Sequence, residues 1–323
     1  MRPLAAGEWN RRLNARCIVK VTRDDLRDAL GETHIGDAMS GGVEVGSHLA
    51  RSFVHRHAGD ANKALLLIDY ENAHNTPYRD PALRVIRDRC PALSPFAETC
   101  YGQPSPMYVG ESVIWSVRGW HQGCSSAGPN WSLGFLPVQE DANRDVAAAG
   151  YTVDYQAFFK DDGQGGGTPD ALRVWFSALH RHGVPRGYFI KPQKSLVLSP
   201  LHCIARVDVR RWAMTHPVTG AVNQPKLCAE QTAVRAAAAA GVNIDGVSTE
   251  PYCVLGESVL GAPIGSREST ERYVRERVDS MERLFDAIAE LPCIHTAFLL
   301  LAKCAAFCRI NHLVRTVPHG FAV

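Results

Sequence analysis

Three carboxylates stand where apolar runs end. Lys63-Ala-Leu-Leu-Leu-Ile-Asp69 is a short apolar run with Asp69 at its C-terminal end, and Tyr155-Gln-Ala-Phe-Phe-Lys-Asp161-Asp162-Gly163 runs into an acidic turn. Each reads as a buried strand that presents its acids at an exposed end. Carboxylates delivered from two strand ends suit two-metal phosphoryl transfer. A pair of Mg2+ ions about 3.5–4 Å apart activates the attacking oxygen and steadies the leaving group. Mg2+ takes oxygen ligands and keeps several waters, so two or three acids suffice. Any one of these acids is more ordinarily a solvated turn residue, and a lone Asp-Asp pair is a weak signal.

The elements that must position these acids follow from periodicity. Leu13, Cys17, Val21, Leu26 and Leu30 recur at helical spacing, a Gly-rich loop covers 36–46, and a helix is expected over 45–57. Helices are further expected over 81–89 and 130–149, with a hairpin over 106–118. Residues 168–182 form an amphipathic helix with Pro169 and Asp170 in its first turn and Gly183 beyond its end. An Ala-rich segment spans 233–240. Val274, Val278, Met281, Leu284, Phe285, Ile288 and Leu291 then repeat at three and four before Pro292 intervenes. Gln164-Gly-Gly-Gly167 lacks the Gly-Lys-Ser/Thr ending of a phosphate loop and reads as a flexible turn after the acidic pair. Strands early and helices late give an α+β body with a helical C-terminal appendage.

Composition is neutral on partners. With 46% hydrophobic and 21% charged residues the 323-residue chain can bury a sizeable core. A net charge of +2 means that any nucleic-acid surface must be a local basic patch. No Cys-x-x-Cys pair occurs among the cysteines, so a zinc finger is unsupported. Cys304 and Cys308, in the apolar run that starts at Phe298, read as core fillers. That run is interrupted by Lys303 and falls short of a bilayer span, and no signal peptide is expected at Met1-Arg-Pro-Leu. The composition suits a soluble protein of a reducing compartment.

The order of blocks around the acids resembles a known family. Asp69-Tyr-Glu-Asn-Ala-His-Asn-Thr-Pro-Tyr-Arg79, Tyr101-Gly-Gln-Pro-Ser-Pro106, Gly119-Trp-His-Gln-Gly123 and Phe159-Lys-Asp-Asp162 are similar to successive stretches of non-LTR retrotransposon reverse transcriptases. Gly187-Tyr-Phe-Ile-Lys-Pro-Gln-Lys194, Val259-Leu-Gly-Ala-Pro-Ile-Gly265 and Arg315-Thr-Val-Pro318 continue the resemblance over nearly the whole chain. It implies a right-hand polymerase: an antiparallel palm sheet with helices, partial fingers and a helical thumb. The implied division is 1–60 for partial fingers, 61–265 for the palm with a fingers insertion at about 80–118, and 266–323 for the thumb. The implied activity is RNA-directed DNA polymerisation, with an RNA template, a DNA primer, deoxynucleoside triphosphates and two Mg2+ ions (or Mn2+) as partners.

Carried over residue by residue, Asp69 and Asp161 would bind both metals and Asp162 would assist them or hold the turn. Asn72, His74, Gln122 and Gly123 would lie along the incoming nucleotide and template base. Lys194 would sit near the triphosphate, able to protonate departing pyrophosphate. Arg267, Arg272, Arg275 and Arg277 would track phosphates from the thumb. Paired with Glu268, Glu271 and Glu276, the same arginines also suit a solvated helix face. A nuclear location would follow from a eukaryotic retroelement origin.

The sequence departs from the family at several places. His74 stands where the family has the aromatic residue that excludes a 2′-hydroxyl, so weakened discrimination against ribonucleotides is expected. Cys124-Ser-Ser-Ala-Gly-Pro replaces Asp-Pro-Leu-Gly-Pro, and Lys160 occupies a position that is usually small or apolar. Strand alternation would point Lys160 away from Asp161. Met1-Arg-Pro-Leu-Ala-Ala-Gly-Glu8 resembles a block that lies well inside the family's fingers, which implies an N-terminal truncation. Two alternatives stay open: an active polymerase, or an inactive retroelement remnant that keeps the fold and binds nucleic acid.

Overall fold

The computed structural model describes residues 9–37, 39–57, 60, 62–198, 207–228, 257–265, 267–305 and 307–317. The Met1–Glu8 block, the Ala-rich segment 233–240, Cys203, Cys253 and Pro318 lie outside the described residues. The fold is mixed α/β and forms two compact units. The first comprises the described residues up to Gly42 with Ala64–Val197 and Val207–Lys226; the second comprises Val43–Lys63 and the described residues from Leu227 onward, with Leu198.

The first unit opens with α1 (Trp9–Val21) and α2 (Arg23–Leu30). Its sheet begins at β1 (Ala64–Asp69), and α4 (Arg79–Arg89), α5 (Ser94–Tyr101) and the hairpin β2 (Ser105–Val109) and β3 (Ser112–Ser116) follow. Next come α6 (Ala127–Ala148), β4 (Val153–Phe159), β5 (Asp162–Gly167) and α7 (Pro169–Gly183). Short strands β6 (Leu196–Leu198), β7 (Met214–Thr215), β8 (Val222–Asn223) and β9 (Lys226–Leu227) follow, of which Leu198 and Leu227 are counted with the second unit. The main sheet has the order β4-β5-β1-β6-β9, and β5 runs antiparallel to both β4 and β1.

The expectation of a flexible turn at Gln164–Gly167 is corrected: these residues are β5, paired on both sides within the sheet. Packing explains the glycines. A Cβ at Gly165 would stand 2.5 Å from Trp175 Cζ3, so the bare strand lets α7 lay its indole directly on the sheet. Helix α7 is started as its sequence suggests, with the Thr168 hydroxyl accepting from the Ala171 N–H at 3.3 Å and Pro169 behind it.

Aromatic rings fill the space between sheet and helices. Phe135 lies 5.0 Å from Trp131, 5.1 Å from Phe158, 5.3 Å from Tyr188 and 5.4 Å from Tyr70, centroid to centroid. Residues 33–35 run along β4, with the Ile35 N–H donating to the Phe158 carbonyl and the Phe158 N–H to the Thr33 carbonyl. His34 stacks on Phe158 and meets Gln139 Oε1 at 2.9 Å; burial lowers its pKa to about 4. The Gln139 amide nitrogen donates to Thr33 Oγ1 and Gln156 Oε1, and the Gln156 amide nitrogen donates to Asn143 Oδ1.

The second unit holds α3 (Gly42–Arg56, of which Gly42 belongs to the first unit), the hairpin β10 (Glu257–Val259) and β11 (Ala262–Ile264), α8 (Arg267–Ala289), α9 (Ile294–Leu300) and α10 (Phe307–Thr316). Helices clasp the hairpin through its carbonyls. Ser47 Oγ donates to Val259 O at 3.0 Å, Arg51 Nη2 to Pro263 O at 2.7 Å and Tyr273 Oη to Gly261 O at 2.9 Å. Cys304 is exposed rather than a core filler, which corrects that expectation; in the π-helical stretch Leu301–Ala305 only Ala305 is buried. The Cys308 side chain lies outside the described residues. Among the described residues no helix is long and apolar enough to cross a membrane.

Candidate active site

The pairing of β1 with β5 decides where the acids stand. Asp69 is directly opposite Asp162, and Asp162 is also opposite Phe159 across the Lys160-Asp161 turn. Lys160 takes the left-handed conformation (φ 56) that closes this two-residue loop. Asp162 keeps solvent access, yet its carboxyl is raised to about 6, first by lost hydration and then by the negative charges of Asp161 and Asp69. Because water still reaches the side chain, the like charges are the more telling cause. They mark three acids that crowd one another.

Asp69 is tied in from the opposite side. Its N–H donates to Ser195 Oγ at 3.2 Å, and its carbonyl accepts from the Lys191 N–H at 2.8 Å. The Ser195 hydroxyl in turn donates to the Lys191 carbonyl. Segment 189–195 therefore runs past the end of β1 and carries Lys194 there, exposed, with its own N–H bonded to Lys191 O.

An all-oxygen donor set of this kind fits a hard divalent cation in chemistry and in charge. As placed, however, no three His, Cys, Asp or Glu side chains among the described residues are arranged to hold a metal ion. Gathering Asp69, Asp161 and Asp162 onto an ion therefore requires side chains to rotate on the backbone that the strand pairing sets.

A fourth acid lies beside the hairpin turn. Asp37, half-buried in the segment after α2, accepts from Ser132 Oγ at 2.6 Å. Burial raises its pKa, the Ser132 hydrogen bond and the Lys160 charge pull it back, and Asp161 adds to the rise. Lys160 Nζ lies 5.6 Å from the centroid of the Phe159 ring. The Gly-rich character of 36–46 gives no sign in the sequence of the Asp37–Ser132 hydrogen bond.

The residues expected along the nucleotide fall in two loops that bind each other. Asn72 and His74 lie in the turn after Tyr70, while Gln122 and Gly123 lie in the loop after β3. The Trp120 N–H donates to the His74 carbonyl and the Gly119 N–H to the Pro77 carbonyl, so the loops are held together by their backbones. Arg79 fastens the joint from below. Its guanidinium donates to Gly119 O at 2.9 Å, Ser116 O at 2.7 Å and Ser116 Oγ at 2.7 Å, with the Tyr101 ring 5.3 Å away. Arg79 is buried, as its place in the sequence block could not reveal. Asn72 (φ 46) and Gly123 are exposed; His74 and Gln122 are half-buried.

In the second unit the four arginines divide. Arg267 pairs with Glu271 at 2.8 Å, the arrangement of a solvated helix face. Arg272 and Arg275 are exposed, with Arg272 Nη2 3.5 Å from Ser269 Oγ. Arg277 lies over the Tyr273 ring and donates to its hydroxyl at 3.2 Å. A cavity of about 250 Å3 here is lined by Gly261, Tyr273, Arg277, Ser280, Met281, Leu284, His312 and Leu313. None of the three acids borders it, so this cavity and the carboxylates are separate features.

No family model matches the chain, and no curated protein matches it. Two solved structures are similar. Telomerase from Candida albicans in complex with the TWJ fragment of telomeric RNA is 13% identical with a TM-score of 0.40, over 58% of this chain and 34% of that one. Apo telomerase from Candida tropicalis, truncated from its C-terminal domain, is 13% identical with a TM-score of 0.41, over 66% and 45%. The chain thus spans less than half the length of either. At such similarity the functional reading rests on the site's own geometry.

Proposed function

We propose that the chain is a metal-dependent nucleotidyltransferase of the reverse-transcriptase kind, extending a DNA primer on an RNA template with deoxynucleoside triphosphates. In this reading residues 1–60 supply partial fingers, 61–265 the palm, and the helices after residue 266 the thumb. The observation that carries it is the strand register that sets Asp69 opposite Asp162 beside the Lys160-Asp161 turn. Two Mg2+ ions, or Mn2+, held by Asp69 and Asp161 with help from Asp162, would supply activation of the primer hydroxyl and neutralisation of the leaving pyrophosphate. The chain's own residues do the rest. Asn72, His74, Gln122 and Gly123 position the nucleotide between the two tied loops, with the His74 imidazole relaxing selection against a 2′-hydroxyl. Lys194, exposed past the end of β1, protonates the departing pyrophosphate. Arg267, Arg272, Arg275 and Arg277 offer charge to phosphates.

One observation favours a second reading, an inactive remnant that keeps the fold: the acids are not gathered for chelation. Primer extension on an annealed RNA template, with Mg2+ or Mn2+, separates the two. Extension that falls at least ~1,000-fold when Asp161 and Asp162 are both changed to Ala is the outcome for a polymerase. A folded protein that extends nothing with either ion is the outcome for the remnant.

A further inference from the structure

Lys160 poses a chemical problem for the site just described. An ammonium carried on the turn between Phe159 and Asp161 can fold over the three acids and occupy the place of a divalent cation. Strand alternation does not settle its direction, because Lys160 lies in the turn itself and takes a left-handed conformation. The surroundings of its stem show what it runs beside. A Cβ at Gly36 would stand 2.6 Å from Lys160 N and 3.1 Å from Lys160 Cγ. A Cβ at Gly128 would stand 2.4 Å from Asp37 Oδ1 and 3.4 Å from Lys160 Cε. The lysine stem therefore runs through a channel that exists because both positions lack a side chain, and the Asp37 carboxylate borders the same channel. Ser132 Oγ holds that carboxylate at 2.6 Å, and the Phe159 ring lies under the ammonium.

We propose that Asp37 is a positioning residue that draws the Lys160 ammonium along the Gly36–Gly128 channel and away from Asp69, Asp161 and Asp162, leaving those acids free for a divalent cation. This rests on the polymerase reading for its purpose but not for its geometry. Ser132 orients the carboxylate that does the drawing. The device accounts for a lysine at a position next to metal-binding acids, where an untethered cation would compete with the metal.

Two measurements on the full chain test it, with Mn2+ alone as the probe. In the first, Mn2+ affinity is titrated by calorimetry for the unmodified chain, Asp37→Asn, Lys160→Met and the double variant. The expected result is that Asp37→Asn weakens Mn2+ binding by roughly tenfold. Adding Lys160→Met to it restores the affinity, because no ammonium remains to compete. A purely structural role for Asp37 would leave the double variant as weak as Asp37→Asn. Unchanged affinity in Asp37→Asn, or no restoration in the double variant, overturns the proposal. In the second, thermal midpoints of the same four proteins form a cycle that needs no metal, and non-additive shifts are expected for two groups that interact. Additive shifts overturn the proposal. A chain that binds no Mn2+ but shows the coupling keeps the Asp37–Lys160 device and loses the polymerase reading.

Discussion

The first half of helix α6 and helix α9 are both largely apolar, and they stand in opposite situations. Every residue from Ala127 to Leu136 of α6 is buried, whereas in α9 Ile294 is 77% exposed and Phe298 67% exposed. The difference lies in the partners that each segment's own unit provides. Helix α6 packs with α4 and α7 beside a sheet whose strand β5 is rich in glycine, so large rings close on one another. Helix α9 belongs to a unit whose only described sheet is the two-stranded hairpin β10–β11, and that hairpin is engaged by α3, α8 and α10. An apolar sequence states what a segment would gain by being covered. The rest of the unit decides whether it is.

The sharpest test of this contrast pairs one residue from each region. Trp175→Ala should cost about 3–5 kcal/mol, since it empties a fully buried site against β5. Phe298→Ala should stay within about 0.5 kcal/mol. Denaturant melts of both variants read the gap directly, and equal costs would mean that Phe298 is covered in solution. Next in size, Gly165→Val should cost about 1–3 kcal/mol, because its Cβ has no room beside Trp175. The same melt checks it, and a neutral result would show that α7 can lift off the strand.

A smaller effect than that of Gly165 belongs to the acid at the rim of this packed region. The Asp162 pKa is raised in the folded chain to about 6 from an ordinary value of 3.8. The folded state therefore favours the protonated carboxyl. That contribution is full below about pH 4 and is lost as pH rises through about 6. Asp162→Asn should flatten this part of the stability profile, by under about 1 kcal/mol because the side chain keeps solvent access. Thermal midpoints at pH 4.5 and 7 for both proteins measure it, and identical slopes would remove the like-charge crowding.

What could be read in advance followed the distribution of side-chain information. Strand β1 was legible because Ala64–Ile68 is apolar and ends in an acid. Its partner β5 was not, because glycines carry no hydrophobic signal and become a strand only between β4 and β1 under Trp175. The Ser94–Tyr101 helix escaped notice in a short stretch with little periodicity. Arg79 could be placed in a block, but only the fold shows it donating to Ser116 and Gly119. Asp37 was invisible for a related reason: its hydrogen-bond partner Ser132 and the Lys160 charge that acts on it are far away in sequence. Cys304 was misjudged since an apolar run does not supply its own cover.

The amides that join His34, Gln139, Gln156 and Asn143 have a direction. Because the Gln139 nitrogen is committed to Thr33 and Gln156, its oxygen must face His34, which then carries its hydrogen on Nε2. Each member thus dictates the orientation of the next, from the edge of the sheet to helix α6. A slip of β4 by one residue would turn Gln156 to the opposite face and break the sequence of donors at its centre. The same slip would carry the turn holding Asp161 out of line with Asp69. A row of neutral side chains, remote from any charge chemistry, thereby acts as a gauge that keeps the acidic turn in alignment.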